Sequence, residues 1–315
     1  YTQLQYLWTE PNDQRMRVGV NGRAKDISGT PAVIRVLEQI HAAGLELALT
    51  PDMATWLNET AGSIPWKVLT EAPLEAQGLD MMISLGGDGS LLDTVAMVGR
   101  SEVPVVGINL GRLGFLSNVR LEEVDEALAV IKQGKHTILD RSLVEVTNHA
   151  DILSTQNFAL NEVTLHKRDS ASMLAVHVHL GETYLNTYWA DGLIIATPTG
   201  STAYSLSCGG PVLDPSNNAL IITPISPHNL NVRPFVVPNH LTLHLQLEAR
   251  SAKCLLNLDS RSHAIHGQSM VTVRKADFVV KMIQIEEGEF LPTLRAKLNW
   301  GLDIRRPKVE KNAKR

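Results

Sequence analysis

The stretch Met81–Ser90, MMISLGGDGS, constrains the fold more than any other part of the chain: an apolar run of strand character breaks into three glycines around one acid, and a helical pattern starts behind them. A strand that turns directly into a helix is the repeating unit of a parallel sheet, and ligands of such sheets bind at the carboxyl ends of the strands. Glycines there let backbone N–H groups approach anionic oxygens with no Cβ in the way, and the helix presents its positive end to the same place. Asp88 is the odd residue, because a carboxylate repels phosphate and a merely adhesive site gains nothing from it. An acid facing a phosphate points to transfer chemistry, with Asp88 taking a proton from an attacking hydroxyl. The plainer alternative is an ordinary strand-to-helix turn with Asp88 as helix N-cap.

From Met16 to about Arg141 short apolar runs alternate with helical periods, the pattern of strand-helix-strand units. Strands are expected at Met16–Val20, Met81–Leu85 and Val103–Ile108. One helix is expected with Thr30 as N-cap, Pro31 in its first turn and Gly44 as its stop, another from near Ser90, and a last one over Leu121–Gln133 with Leu121, Val124, Leu128 and Ile131 on one face. Val103–Ile108 feeds a second glycine-rich segment, Asn109-Leu-Gly-Arg-Leu-Gly-Phe-Leu116. After about Ser142 the texture changes. Met173–Leu180 puts Leu174, Val176, Val178 and Leu180 on one face and His177 and His179 on the other, Leu241–Glu248 alternates likewise, and seven of the fifteen prolines fall between Pro198 and Pro238. A chain of 315 residues exceeds most single cores. The expectation is an α/β domain over 1–142 and a mostly β domain over 143–286, with 287–315, whose Leu291–Trp300 reads as short helix or coil, returning to the first.

The net charge of -4 excludes the basic surplus of a general nucleic-acid binder. Cys208 and Cys254 stand far apart in no metal or redox spacing, which fits a reducing cytosol. His177 and His179 could share a metal, but no third ligand is apparent, and a solvated or structural role is favoured. No apolar run approaches the roughly 20 residues of a membrane span, and Tyr1–Gln14 lacks the basic-then-apolar order of a secretory signal. A cytoplasmic protein with a loose N-terminal extension is expected, with neither nucleic acid nor membrane as partner. The basic tail Lys308–Arg315 reads as a disordered end, and Arg112 as a surface arginine beside a turn.

Two segments in the second half carry more chemistry. Asn161-Glu162 sits inside the strand-like run Phe158–Leu165, where an amide beside an acid sends one polar group inward in need of a partner. Asp191-Gly-Leu-Ile-Ile-Ala-Thr-Pro-Thr-Gly-Ser-Thr-Ala-Tyr204 is an acid-glycine pair, an apolar strand and a loop dense in hydroxyls. Thr197, Thr199, Ser201, Thr202 and Tyr204 offer donors and acceptors to ribose hydroxyls and phosphates, and Gly200 and Ala203 leave room for a flat ring.

These segments together resemble the NAD kinases, bacterial type. Gly86-Gly87-Asp88-Gly89, Gly111-Arg-Leu-Gly-Phe115, Asn161-Glu162, Asp191-Gly192, Thr197-Pro-Thr-Gly-Ser-Thr-Ala-Tyr204 with Ser207, and Pro227-His228 to Arg233-Pro234 occur in the family's order over residues 16 to 300. The glycine turn alone is shared with lipid kinases and phosphofructokinases, whereas the Thr-Pro-Thr-Gly-Ser-Thr-Ala-Tyr string is highly specific. The resemblance implies a Rossmann-like α/β N-terminal domain, a β-sandwich C-terminal domain and homodimers or homotetramers. It implies phosphorylation of the 2'-hydroxyl of the adenosine ribose of NAD to give NADP, with ATP or another phosphoryl donor and Mg²⁺ or another divalent metal. Asp88 would then be the general base, or align that hydroxyl. Gly86, Gly87 and Gly89 would hold phosphates, and Asn161 and Glu162 would contact adenosine or ribose hydroxyls. Asp191 would bind the dinucleotide, in several relatives from a neighbouring subunit. Thr199, Thr202, Ala203, Tyr204 and Ser207 would belong to the loop that packs around its rings, and Phe115 and Leu116 would wall the pocket. Trp189 and Ser172 depart from the family's usual basic residue and histidine. A lipid kinase on the same plan is disfavoured by the polar loop and the lack of an amphipathic or polybasic segment. A sensor that binds without turnover is disfavoured by Asp88.

Overall fold

The computed structural model describes residues 16–23, 30–60, 64–70, 73–111, 114–117, 119–168, 173–285 and 290–300. Arg112, Ser172, Tyr1–Gln14 and Lys308–Arg315 lie outside them. Six parallel strands are laid down first: β1 (Arg17–Gly22), β2 (Glu46–Leu49), β3 (Lys67–Val68), β4 (Met81–Leu85), β5 (Val105–Asn109) and β6 (Val119–Arg120). Their spatial order is β3-β2-β1-β4-β5-β6. That is the dinucleotide-fold order, whose switch point lies between the carboxyl ends of β1 and β4.

The alternation of β4 shows why both its faces are apolar. Met81, Ile83 and Leu85 join the core under α1 (Thr30–Ala42), α2 (Pro51–Thr60) and α4 (Val124–Lys132), while Met82 joins Leu91, Val95 and Val98 of α3 (Asp88–Val98) on the other side. Gly44 closes α1 at φ 79°. α3 starts at Asp88, two residues before the expected Ser90. β5 starts after Pro104, which lacks an N–H for the ladder but accepts from Met82 N–H at 2.8 Å. Leu121–Glu123 is a single 3₁₀ turn ahead of α4 rather than part of it.

The second half builds two antiparallel layers. One contains β7 (Thr137–Val146), β8 (Phe158–Ala159), β10 (Leu174–Leu180), β11 (Thr183–Ala190), β15 (Leu243–Ala249) and β18 (Met270–Gln284). The other runs β14-β13-β12-β9-β16-β17, from β9 (Glu162–Lys167), β12 (Gly192–Ala196), β13 (Ala219–Ile225), β14 (Phe235–Pro238), β16 (Lys253–Leu258) and β17 (Arg261–His266). Leu174, Val176 and Val178 meet Leu165, Leu193, Ile195 and Leu256 between the layers. Ile194 and Ala196, on the opposite face of β12, pack with Leu213 and Cys208 and so anchor the hydroxyl-rich loop. His177 is bound to Thr187 Oγ1 at 2.8 Å and Glu248 at 3.2 Å on the outer face, a structural arrangement.

The two halves share a sheet. β18 runs antiparallel to β7 and at Met282 pairs with Val105 of β5. The expected junction at 142/143 falls inside β7. Glu145 on β7, its side chain 3% exposed, reaches Arg274 of β18 at 2.8 Å and Arg100, just past α3, at 3.5 Å. α5 (Phe290–Leu298) buries Leu294 and brings Lys297 within 5.7 Å of the Phe115 ring.

Candidate active site

Asp88 does not cap α3. Gly87 occupies the N-cap position and no side chain bonds there. The Asp88 carboxylate instead crosses to the loop after β5, where it accepts the N–H of Phe115 at 2.9 Å, of Leu116 at 3.0 Å and of Ser117 at 3.1 Å. The approach is so close that a Cβ on Gly114 would sit 1.8 Å from Asp88 Oδ1. Asn109, at the end of β5, shapes this loop by accepting the Gly111 N–H at 2.8 Å. The two glycine-rich segments that the sequence separates by some twenty residues are therefore one structure, with the acid as its clasp. Gly86, at φ 135°, makes the turn out of β4, and Gly87 and Gly89 flank the acid at the N-terminus of α3.

Arg23, directly behind β1, was not singled out by the sequence. Its guanidinium lies 3.4 Å from where a Gly89 Cβ would be and holds Asp93 of α3 through Nε at 2.5 Å and Nη2 at 3.0 Å. The signal available was its position at the carboxyl end of the first strand.

Asn161 and Glu162 lie where the expected strand Phe158–Leu165 breaks into β8 and β9. The break exists because Leu160, Asn161 and Glu162 give their N–H groups to the Asp259 carboxylate, at 2.8, 2.8 and 3.2 Å. Glu162 is 9% exposed, and its Oε2 has no partner among the described residues. Burial, and then the charge of Asp259, push its carboxyl up to about 8, against a hydrogen bond from the Tyr204 backbone.

The loop after β12 divides its hydroxyls between two jobs, which corrects the expectation that all of them serve a ligand. Thr197 donates to Leu160 O at 2.5 Å and accepts from Gly200 N–H at 3.1 Å, and Ser201 is bound at both ends to Leu213, so these two hold the loop together. Gly200 packs on Asn161 so tightly that a Cβ would lie 2.1 Å from its carbonyl oxygen. Thr202, Ala203, Tyr204 and Ser207 remain partly or fully exposed, and the buried Thr199 hydroxyl has no partner among the described residues. Tyr204 shares a hydrogen bond with Cys208; burial, then Cys208, Asp191 and Glu162, raise its phenol above the usual value. Asp191 pairs with Lys167 at 2.5 Å. Trp189 is exposed, and its carbonyl accepts the His228 N–H at 2.9 Å.

The structure thus makes two clusters: Asp88 with Gly86, Gly87, Gly89, Phe115 and Leu116, and Asn161 with Glu162, Asp191 and the 199–207 loop. α3 joins them, because Asp93 also accepts from Ser260 Oγ at 3.4 Å, next to Asp259. The side chains of Phe115 and Leu116 line a cavity of about 270 Å³ with Met282, Ile283, Phe290 and Arg141. No group of three or more His, Cys, Asp or Glu among the described residues converges as metal ligands.

Comparison with known proteins gives a consistent result. A family profile described as the ATP-NAD kinase N-terminal domain matches residues 23–136, and one described as the C-terminal domain matches residues 160–285. An NAD kinase of Flavobacterium psychrophilum is 40% identical over 294 residues, 92% of this chain and 100% of that protein. One of Cytophaga hutchinsonii is 45% identical over 226 residues, 72% of this chain and 77% of that protein. In fold, the chain is similar to yeast NADH kinase complexed with NADH, with TM-score 0.83 and 22% identity over 96% of this chain and 91% of that one. An NAD kinase from Archaeoglobus fulgidus in complex with ATP gives TM-score 0.70 and 23% identity over 90% of this chain and 99% of that one.

Proposed function

The chain belongs to the NAD kinase family and phosphorylates NAD to NADP, and we propose that ATP or another phosphoryl donor serves the reaction and that Asp88 aligns the 2'-hydroxyl of the adenosine ribose and accepts its proton. The single observation that carries this is the clasp of three peptide N–H groups on the Asp88 carboxylate. A carboxylate has about four acceptor positions. Three are filled by the loop, which fixes the group and leaves one direction for a substrate hydroxyl. As the ribose oxygen bonds to the terminal phosphorus of ATP, its proton passes to Asp88, the bond from that phosphorus to the bridging oxygen breaks, and ADP leaves. Such base catalysis contributes about 10²- to 10⁴-fold, and the larger share comes from positioning and from neutralising phosphate charge.

The surrounding residues fill the remaining roles in this reading. Gly86, Gly87 and Gly89 let phosphates approach the N-terminus of α3, with Arg23 beside them. Asn161 and Glu162 take adenosine or ribose hydroxyls, and a Glu162 that keeps its proton near neutral pH both donates and accepts. Thr199, Thr202, Ala203, Tyr204 and Ser207 pack around the rings, Asp191 binds the dinucleotide across a homodimer or homotetramer contact, and Phe115 and Leu116 wall the pocket. Mg²⁺ or another divalent metal would supply charge neutralisation at the phosphates of the donor. Two cysteines outside any disulfide fit a cytoplasmic enzyme, and no helix among the described residues is long and apolar enough to cross a membrane.

A coupled assay for NADP formed from NAD and ATP tests the reading. A folded sample that binds NAD but yields no NADP would be a sensor, and turnover of diacylglycerol in place of NAD would mark a lipid enzyme.

A further inference from the structure

We propose that Asp259 is a positioning residue for the dinucleotide: through its carboxylate it holds the Asn161–Glu162 pair in register, from a turn that also reaches the helix of the phosphate turn. The proposal deepens the functional reading above and rests on it.

The turn joins β16 to β17, with Leu258 paired to Arg261, and Asp259 takes φ 51°, a conformation that aspartate tolerates better than most residues. Asp259, Ser260 and the first residue of β17, Arg261, each grip a different part of the site. Asp259 accepts three consecutive N–H groups, and its own N–H returns a bond to the Glu162 carbonyl at 3.0 Å. Arg261 donates to the Gln156 carbonyl at 2.8 Å and to the Phe158 carbonyl, with its guanidinium 5.4 Å from the Phe158 ring centre. Ser260 donates to Asp93, which holds Arg23 beside Gly89. Segment 156–162 has no continuous strand ladder of its own, so this turn supplies the bonds a neighbouring strand would otherwise give.

A carboxylate is the group this place calls for, since only an acceptor with several lone pairs can satisfy three converging donors. Its charge has a second effect, because it lies beside buried Glu162 and favours the protonated form of that residue. Among the described residues, the other ionisable groups facing Glu162 are Tyr204 of the loop and Cys208 just after it, with Asp191 and its partner Lys167 beyond Tyr204. Burial raises the Asp259 carboxyl above the usual carboxylate range, while the three N–H groups and then the Arg261 cation act to keep it ionised. A residue that merely shaped a hairpin would leave the proton on Glu162 untouched, whereas this one adds its charge to the effect of burial.

The test is Asp259→Asn in the full chain, read by steady-state kinetics with NAD and ATP and by calorimetric NAD binding between about pH 6 and pH 9. An amide in that place turns one donor toward the Leu160–Glu162 N–H groups. The KM for NAD rises about tenfold, the KM for ATP stays within about twofold, and kcat falls by less than about fivefold. The pH midpoint of NAD binding that follows the Glu162 proton moves down when the charge of Asp259 is removed. A folded variant with unchanged KM for NAD and unchanged midpoint overturns the proposal. Asp259→Ser, smaller and with one acceptor, is the second variant; if neither variant folds, Asp259 belongs to the fold alone and the proposal also falls. Absence of NADP from the wild type would sink the functional reading, while the calorimetric shift would still decide the role of Asp259.

Discussion

At the scale of single residues, two carboxylates in this site are handled in opposite ways. Asp88 is held by three peptide donors, so Asp88→Asn replaces one acceptor by a donor against an N–H and removes the proton acceptor. NADP formation falls about 10²- to 10⁴-fold, and urea unfolding shows a stability loss of only about 1–2 kcal/mol. Glu162 is starved of donors and burdened by burial and by Asp259, which places its carboxyl at about 8 in the folded chain. The folded value lies above the unfolded one, so between about pH 4.5 and pH 8 the native state keeps a proton that the unfolded chain has released, and stability falls as pH rises through that window. Glu162→Gln carries no such burden. Urea midpoints of the wild type and Glu162→Gln coincide near about pH 4, and the variant is the more stable by several kcal/mol above about pH 8, with weaker NAD binding as the cost.

At the scale of elements, the site is a set of turns held together by long-range bonds, and that explains how much of it could be read in advance. The strand-turn-helix at Met81–Ser90 was legible because strand, glycines and helix are all local signals, and β4 begins and ends where the pattern put it. The hydroxyl loop was legible as a loop, but not which hydroxyls face inward, since Thr197 and Ser201 find their partners at Leu160 and Leu213. Asp259 gave no signal, because its partners lie nearly a hundred residues earlier and nothing local marks a turn aspartate as a splint. Arg23 did have a signal in its place behind the first strand, but its partner Asp93 lies 70 residues further on. The meeting of the two glycine-rich segments yields a prediction for the element itself. Gly114→Ala puts a methyl group 1.8 Å from Asp88 Oδ1, so the carboxylate must swing away from its clasp. Turnover drops about 10²-fold, the penalty for a displacement of about an ångström, while NAD binding measured by calorimetry changes little.

At the scale of the whole molecule, the change of texture near Ser142 is real in architecture, since parallel β/α units give way to antiparallel layers. What composition could not show is that β7 and β18 belong to both, because a strand's neighbours are set by register and not by its own residues. Glu145 fastens this shared region by taking Arg274 and Arg100 at once. Glu145→Gln leaves two half-exposed arginines that water can serve, so the loss is about 1–3 kcal/mol, visible as a lower urea midpoint with NADP formation per folded molecule unchanged. The Met282–Val105 pairing has a mechanical consequence. Two lobes on a slack tether would melt one after the other, but lobes welded along a common ribbon must come apart together. Trp56 and Trp66 in the first lobe and Trp189 in the second should therefore report one and the same denaturation curve, and any motion of one lobe against the other has to be a torsion of that ribbon rather than a swing about a joint.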